Sequence, residues 1–337
     1  MKCYYFHCHV RQFLSPDKCN QSPQTVMSLY TILGAGGSVG TTLAINLIAQ
    51  GRQVRLVSRS GFSMPGSGTV KCDLANLGET IEAVKGSAVV FLCAGLPYKH
   101  EVWERLWPRI MTHTIEACKR ARARLIFFDN LYMYGEVKGP MTEKTPYYPV
   151  SKKGEVRAEV ARMLQQEMKS GNIRASIARA ADLYGPFSTT TSLPYLLIFK
   201  NLLKGKRAQW LLSGDTLHSF CYTNDCAKAM ILMANNDASF NQVWHLPCAS
   251  PAVSAREFID MAAKELSVNS NPMILQKWMI HLAGTWDTST RETREMLYQY
   301  ESDYVFSSSK FDTFFHFEPT SYSLGIAETL SFLKPGS

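Results

Sequence analysis

The sequence predicts an α/β fold, a doubly wound parallel sheet with a smaller α/β lobe toward the C-terminus. Two observations carry that expectation. From Ser28 to Arg179, short apolar runs of strand length alternate with longer runs of helical spacing, the pattern of a parallel sheet wrapped by helices. Runs such as Val89-Val90-Phe91-Leu92 are apolar without alternation, as strands buried on both faces are.

Taken in order, strands are expected at 28–34, 53–58, 68–72, 88–93, 124–129 and 173–179, and helices at 38–50, 77–84, 100–121 and 149–169. In the 100–121 helix, Trp103, Trp107 and Met111 share one side, a face expected to meet the core. In the last helix Val156, Val160, Met163 and Leu164 recur at helical spacing, and Gly171 beyond it suits a left-handed cap. After Gly185 the alternation breaks down. The chain is therefore divided into an extension at 1–26, expected to be disordered, a first lobe at 27–185 to which 218–248 partly returns, and a second lobe made of 186–217 and 249–334.

Composition narrows the function classes. With 337 residues, 46% hydrophobic and 19% charged, the chain is neither disordered nor a disulfide-stapled miniprotein. The net charge of +8 is scattered rather than blocked, which argues against nucleic acid as a partner. Nine cysteines without a CxxC pair suggest neither a disulfide framework nor a standard zinc site, so no metal is expected and a reduced, cytoplasmic setting fits. Cys3, Cys8 and Cys19 lie in the extension beside His7 and His9; a small metal site there is the lesser reading, an ancillary extension the greater. Residues 27–51 carry no charge, yet four glycines divide the run into a strand and an amphipathic helix, so no membrane span is expected.

The turn Leu33-Gly34-Ala35-Gly36-Gly37-Ser38-Val39-Gly40 follows the first strand and opens the first helix. In a Rossmann-type sheet this is the place for a dinucleotide: Gly34 for the tight turn, Gly37 for close approach of a pyrophosphate, Gly40 for packing of helix on strand. The unpaired N–H groups of Ser38 and Val39 then face the anion. An acid at the end of the second strand would bind the 2′-hydroxyl of NAD; Ser58 and Arg59 stand there instead and suit a 2′-phosphate, so NADP(H) is favoured over NAD(H). Asp73, after the third strand, is placed to meet the adenine edge.

Two YxxxK matches occur. Tyr134 to Lys138 runs through Gly135 into Gly139-Pro140, a loop with no fixed spacing. In the second match Pro149 biases Tyr148 out of helical geometry, so Tyr148 is expected to cap the helix with Lys152 one turn inside. A phenol is a poor base at neutral pH, and a nearby ammonium favours its phenolate, which can then exchange a hydroxyl proton while hydride moves to or from a nicotinamide. The tandem Tyr147-Tyr148 and Lys152-Lys153 leaves the register to spacing alone, and only Tyr148 and Lys152 have three residues between them.

Residues 28 to about 334 resemble the extended short-chain dehydrogenase/reductases of the NAD(P)-dependent epimerase/dehydratase branch. Gly34xxGly37xxGly40 matches the family's GxxGxxG, Asp73-Leu74 its adenine-side acid, Ala94-Gly95 the end of its fourth strand, and Tyr148xxxLys152 its catalytic pair. Arg179 to Pro186 resembles its RPxNxYGP segment and His218 to Asp225 its RDFxxVDD segment. The resemblance implies that Tyr148 is the acid/base, that Lys152 also holds the ribose, that Gly34, Gly37, Ser38, Val39, Gly40, Ser58, Arg59, Asp73, Leu74, Ala94 and Gly95 contact the cofactor, and that the protein is a homodimer.

Three departures bear on function. Asn130 stands where the family places a catalytic Ser or Thr; an amide can polarise a carbonyl but cannot relay a proton. Asp182 replaces the usual Asn, and His218 an Arg that meets the substrate diphosphate in many relatives. With Tyr132, these two are the expected substrate contacts, and they favour a small or less anionic substrate unless Arg157, Lys204 or Lys206 compensates. The expected function is thus hydride transfer at a hydroxyl or carbonyl carbon of a small molecule. The alternatives are a non-catalytic NAD(P)-binding sensor or scaffold, which Asn130 supports, and a nucleotide-sugar epimerase or dehydratase.

Overall fold

A computed structural model describes residues 28–334. Seven strands form its central sheet: β1 (Leu29–Leu33), β2 (Gln53–Ser58), β3 (Ser67–Lys71), β4 (Ser87–Leu92), β5 (Arg124–Asp129), β6 (Ala175–Arg179) and β7 (Val243–His245). They run in the order β3-β2-β1-β4-β5-β6-β7, every neighbour parallel. The order reverses between β1 and β4, which opens a crevice at the C-terminal ends of those strands.

Helices cover both faces, which is why the inner strands are apolar throughout. On one face α1 (Ser38–Ala49) and α5 (Thr223–Asn235) bury Leu43, Leu47, Met230 and Met233. On the other, α2 (Leu77–Val84), α3 (His100–Ala121) and α4 (Lys152–Lys169) bury Ala83, Trp103, Trp107, Met111, Val160 and Leu164. Residues of 184–222, 255–280 and 297–330 make a third, separate core around Trp210, Phe220, Phe258 and Tyr322.

The expected strands and helices are found within two residues of their bounds, with one exception that matters for the site. The helix expected from Pro149 begins at Lys152, because Ser151 is its cap and takes the Gly154 N–H at 3.0 Å. Tyr148 therefore does not cap it, and Tyr148 and Lys152 do not sit one turn apart on a helix as the sequence suggested. Gly171 closes this helix as expected, at φ +70.

Among the described residues no helix is long and apolar enough to cross a membrane, no side-chain group is built to hold a metal ion, and all six cysteines are buried free thiols. The extension with its three cysteines lies outside the described residues.

Candidate active site

At the end of β1 the chain turns through Gly34 at φ +89, held by its N–H on the Val57 carbonyl at 2.9 Å. A Cβ on Gly34 would stand 2.3 Å from Cα of Ala94, so β1 and the end of β4 meet backbone to backbone. Gly37 precedes α1 with open space before it: a Cβ there would meet only the Gly34 carbonyl, at 3.6 Å. No side chain caps α1 and no acid lies in its first turn, so the N–H groups around Ser38 and Val39 are left for an anion. Gly40 packs on Ile32 and Ala35. These residues fit the pyrophosphate of a dinucleotide.

The β2 and β3 ends complete that rim. Ser58 Oγ accepts the Phe62 N–H at 2.8 Å, which lays Phe62 against Gly36, and Arg59 beside it is exposed. Asp73 is exposed and accepts the Ala75 N–H at 3.0 Å, while Leu74 is buried and its carbonyl meets a ring nitrogen of His113 at 3.0 Å. Gly95, past β4, is exposed on the same edge.

After β5 the Asn130 N–H donates to Asp129 Oδ1 at 2.9 Å, and Asn130 Oδ1 accepts the Tyr132 N–H at 3.2 Å. Its carbonyl oxygen is thus engaged internally, leaving the NH2 as the group it presents, a donor. Gly135 at φ +68 lies so close to Tyr148 that a Cβ would fall 1.9 Å from the Tyr148 carbonyl oxygen, and one on Gly154 would fall 2.6 Å from that of Tyr132. The backbone around Tyr148 and the start of α4 are therefore seated on the Asn130 loop.

The tandem residues have opposite fates. The Tyr147 hydroxyl takes a hydrogen bond from Arg179, and Lys153 is fully buried, its ammonium 2.5 Å from Glu292 Oε2 and 2.6 Å from Glu295 Oε1, over the Tyr98 ring. Tyr148 is 70% exposed, and neither its hydroxyl nor the Lys152 ammonium bonds a protein group among the described residues.

On the second-lobe side His218 Nε2 lies 3.0 Å from Asp182 Oδ2, which also accepts the Tyr300 hydroxyl at 3.3 Å. Tyr132 joins them: burial first, then the Asp182 charge, pushes its phenol up to about 12, so it presents a neutral O–H. The three expected substrate residues are brought together, with His218 turned onto Asp182. Arg157 does not compensate for the lost guanidinium, because it is buried on Asp129, Nε to Oδ1 at 2.8 Å.

A scan of family models matches residues 30–245 to the NAD dependent epimerase/dehydratase family. The chain belongs to that family. A UDP-glucose epimerase of Bacillus subtilis (strain 168), YtcB, itself described as uncharacterized, is 23% identical over 183 residues, 52% of this chain and 56% of that protein; the chain thus matches it over about half its length. Among solved structures, dTDP-glucose 4,6-dehydratase from Bacillus anthracis str. Ames with NAD superposes at TM-score 0.75 and 15% identity, over 92% of this chain and 97% of that one. UDP-glucose 4-epimerase of Thermus thermophilus with NAD does so at 0.75 and 16%, over 92% and 100%. At such identities these structures share the fold.

This epimerase/dehydratase-family chain also carries a charge network whose pairings the sequence did not indicate. Asp129 receives Arg157 and, at 3.4 Å, Arg179 Nε; Arg179 donates further to the hydroxyls of Tyr134, at 2.7 Å, and Tyr147. Burial disfavours the Arg179 charge, but Tyr134, Asp129 and Tyr147 outweigh it and hold the guanidinium protonated. Because Ser307 O accepts at 2.9 Å, His245 Nδ1 carries the proton and Nε2 accepts from Tyr134 at 2.7 Å. Glu292 and Glu295 are the other pair missed; nothing near them in sequence marks them.

Proposed function

We propose that the protein transfers hydride between NADP(H) and a hydroxyl or carbonyl carbon of a small substrate, with Tyr148 as acid/base, Lys152 as its cationic partner and ribose ligand, and Asn130 as donor to the reacting oxygen. The observation that carries this reading is the split within the tandem pairs. Tyr147 and Lys153 are consumed by buried partners, whereas the Tyr148 hydroxyl and the Lys152 ammonium are left for ligands. Membership of an NAD-dependent family and the uncapped N-terminus of α1 support a dinucleotide; the exposed Arg59 beside Ser58 supports the 2′-phosphate form.

The nicotinamide, when bound, accepts or gives the hydride. Tyr148 takes the hydroxyl proton as the carbon is oxidised and returns it as the carbonyl is reduced, and the Lys152 ammonium stabilises the phenolate between those steps. The Asn130 NH2 holds the oxygen while its bond order changes.

Titration with NADPH and NADH by nicotinamide fluorescence tests the cofactor, and NADH binding as tightly as NADPH removes the role given to Arg59. Tyr148→Phe is expected to lower kcat by roughly 100-fold or more while NADPH still binds; unchanged turnover overturns the mechanism. NADPH binding without turnover of any alcohol or carbonyl compound would instead mark a cofactor sensor. A nucleotide-sugar substrate is the second reading, favoured by the UDP-glucose epimerase relative.

A further inference from the structure

The groups with which a protein ordinarily holds a phosphate are guanidinium, ammonium and helix N-termini. Around Asp182, carboxylates of the chain itself already engage most of them; the Lys152 ammonium stays unpaired and goes, on the reading above, to the cofactor ribose, while Lys204 and Lys206 lie exposed in the turn after Leu202. The N-terminus of α3 is taken by Glu292, whose Oε2 accepts the His100 N–H at 2.9 Å, and that of α4 by Glu295, whose Oε2 accepts the Lys152 N–H at 2.7 Å. Lys153 lies between the same two acids, and Arg157 lies on Asp129. His218, stacked on Tyr300 at 5.3 Å, directs Nε2 to Asp182.

What remains polar is of the opposite kind. Asp182 keeps Oδ1 without a hydrogen bond among the described residues, and its side chain is 21% exposed. Beside it burial, reinforced by the Asp182 charge, keeps Tyr98, Tyr132 and Tyr300 as neutral phenols. Here four carboxylates, Asp182, Glu292, Glu295 and Asp129, stand against four cations, Lys152, Lys153, Arg157 and Arg179, so the surroundings carry no net positive charge. A ligand with two or more negative charges finds its usual donors largely paired and meets the Asp182 carboxylate. A hydroxyl donor, in contrast, finds a charged acceptor walled by aromatic rings, where such a bond is strong.

We infer that the pocket takes an uncharged, hydroxyl-bearing alcohol or carbonyl compound, with Asp182 as the specificity-determining residue that accepts its hydroxyls, and turns away nucleoside diphosphates. This rests on the hydride-transfer reading proposed above. In the reaction the substrate C–H electron pair leaves as hydride to NADP+ and the O–H proton goes to Tyr148, giving the neutral carbonyl product and NADPH.

The experiment uses the full chain saturated with NADP+. Calorimetric titration with UDP and with UDP-glucose is expected to show dissociation constants on the order of 1 mM or weaker. A panel of neutral aldoses and alditols of three to six carbons is expected to contain compounds that change nicotinamide absorbance. Asp182→Asn is expected to raise KM for these by about tenfold or more, with a smaller change in kcat, while its urea midpoint and NADPH affinity stay near those of the unaltered chain. Micromolar UDP binding by the unaltered chain overturns the inference, as does inactivity of every neutral compound or an Asp182→Asn variant with unchanged KM. Failure to bind NADPH at all is a different result, and it removes the underlying reading instead.

Discussion

Two stretches of one sheet edge are built by opposite routes. At the end of β1 the site is made of absences: glycines without side chains, a helix without a cap, no charge between residues 27 and 51. At the ends of β5 and β6 it is made of buried charge, Asp129 against Arg157 and Arg179, with the surplus cation placed on the Tyr134 and Tyr147 hydroxyls. The first stretch leaves its backbone donors unpaired, whereas the buried charges of the second are paired with one another. On the reading proposed above, the unpaired stretch binds and the paired one supports.

The sharpest way to break the first stretch is to fill it. Gly34→Val adds a Cβ 2.3 Å from the Ala94 backbone, at a φ of +89 that valine disfavours, and β1 and β4 cannot separate without disrupting the sheet centre. A loss of about 4 kcal/mol or more is expected, seen as a collapse of the urea midpoint. A variant folded within about 1 kcal/mol of the original would show that this contact is not as tight as described.

The second stretch is broken by removing its one acid. Asp129→Asn leaves two guanidinium groups buried with only neutral partners, and loss of one partner of a buried pair costs about 3–5 kcal/mol. Because Asp129 also accepts the Asn130 N–H, turnover should fall further than stability alone explains. Urea unfolding and kcat measured on the same preparation separate the two effects. A stability change below about 1 kcal/mol would mean that the cluster is not a paired network.

The same contrast explains what the sequence made legible. Strand positions, the glycine turn and the left-handed Gly171 follow from residues within a few positions of one another, and the structure has them where the pattern places them. The start of α4 was misplaced because two local signals competed: Pro149 suits a first helical position, but Ser151 supplies a side-chain acceptor and so sets the start at Lys152. Arg157 reads as a free cation in sequence, and only the fold brings it to Asp129, 28 residues earlier. The partners of Lys153 lie 139 and 142 residues away, so no spacing within the chain reveals that this lysine, and not its neighbour, is consumed.

A smaller effect comes from pH. Burial, followed by the Arg179 charge, holds the His245 pKa well below its ordinary 6.5, so the folded protein keeps it neutral where the unfolded chain takes a proton. Stability from this group is therefore complete above pH 6.5 and is lost as pH falls through that value toward the folded one, by about 1.4 kcal/mol per unit. Urea midpoints between pH 7.5 and 5.5 should fall more steeply for the unaltered chain than for His245→Asn, and parallel slopes would deny that the imidazole is held neutral.

The gentlest change belongs to the open stretch. Arg59 is exposed, so its removal should leave folding untouched and act only on what binds. Against a 2′-phosphate, an exposed guanidinium is expected to contribute about tenfold in affinity at low salt, less as ionic strength rises. Arg59→Ala should therefore weaken NADPH by about tenfold, leave NADH within about twofold, and lose most of that difference by about 0.5 M salt. Equal weakening of both cofactors would place Arg59 on the shared part of the dinucleotide and return the second strand's end to an NAD reading. The pyrophosphate seat proposed at Gly37 is untouched by that outcome, since it is made of backbone that no side-chain substitution at position 59 alters.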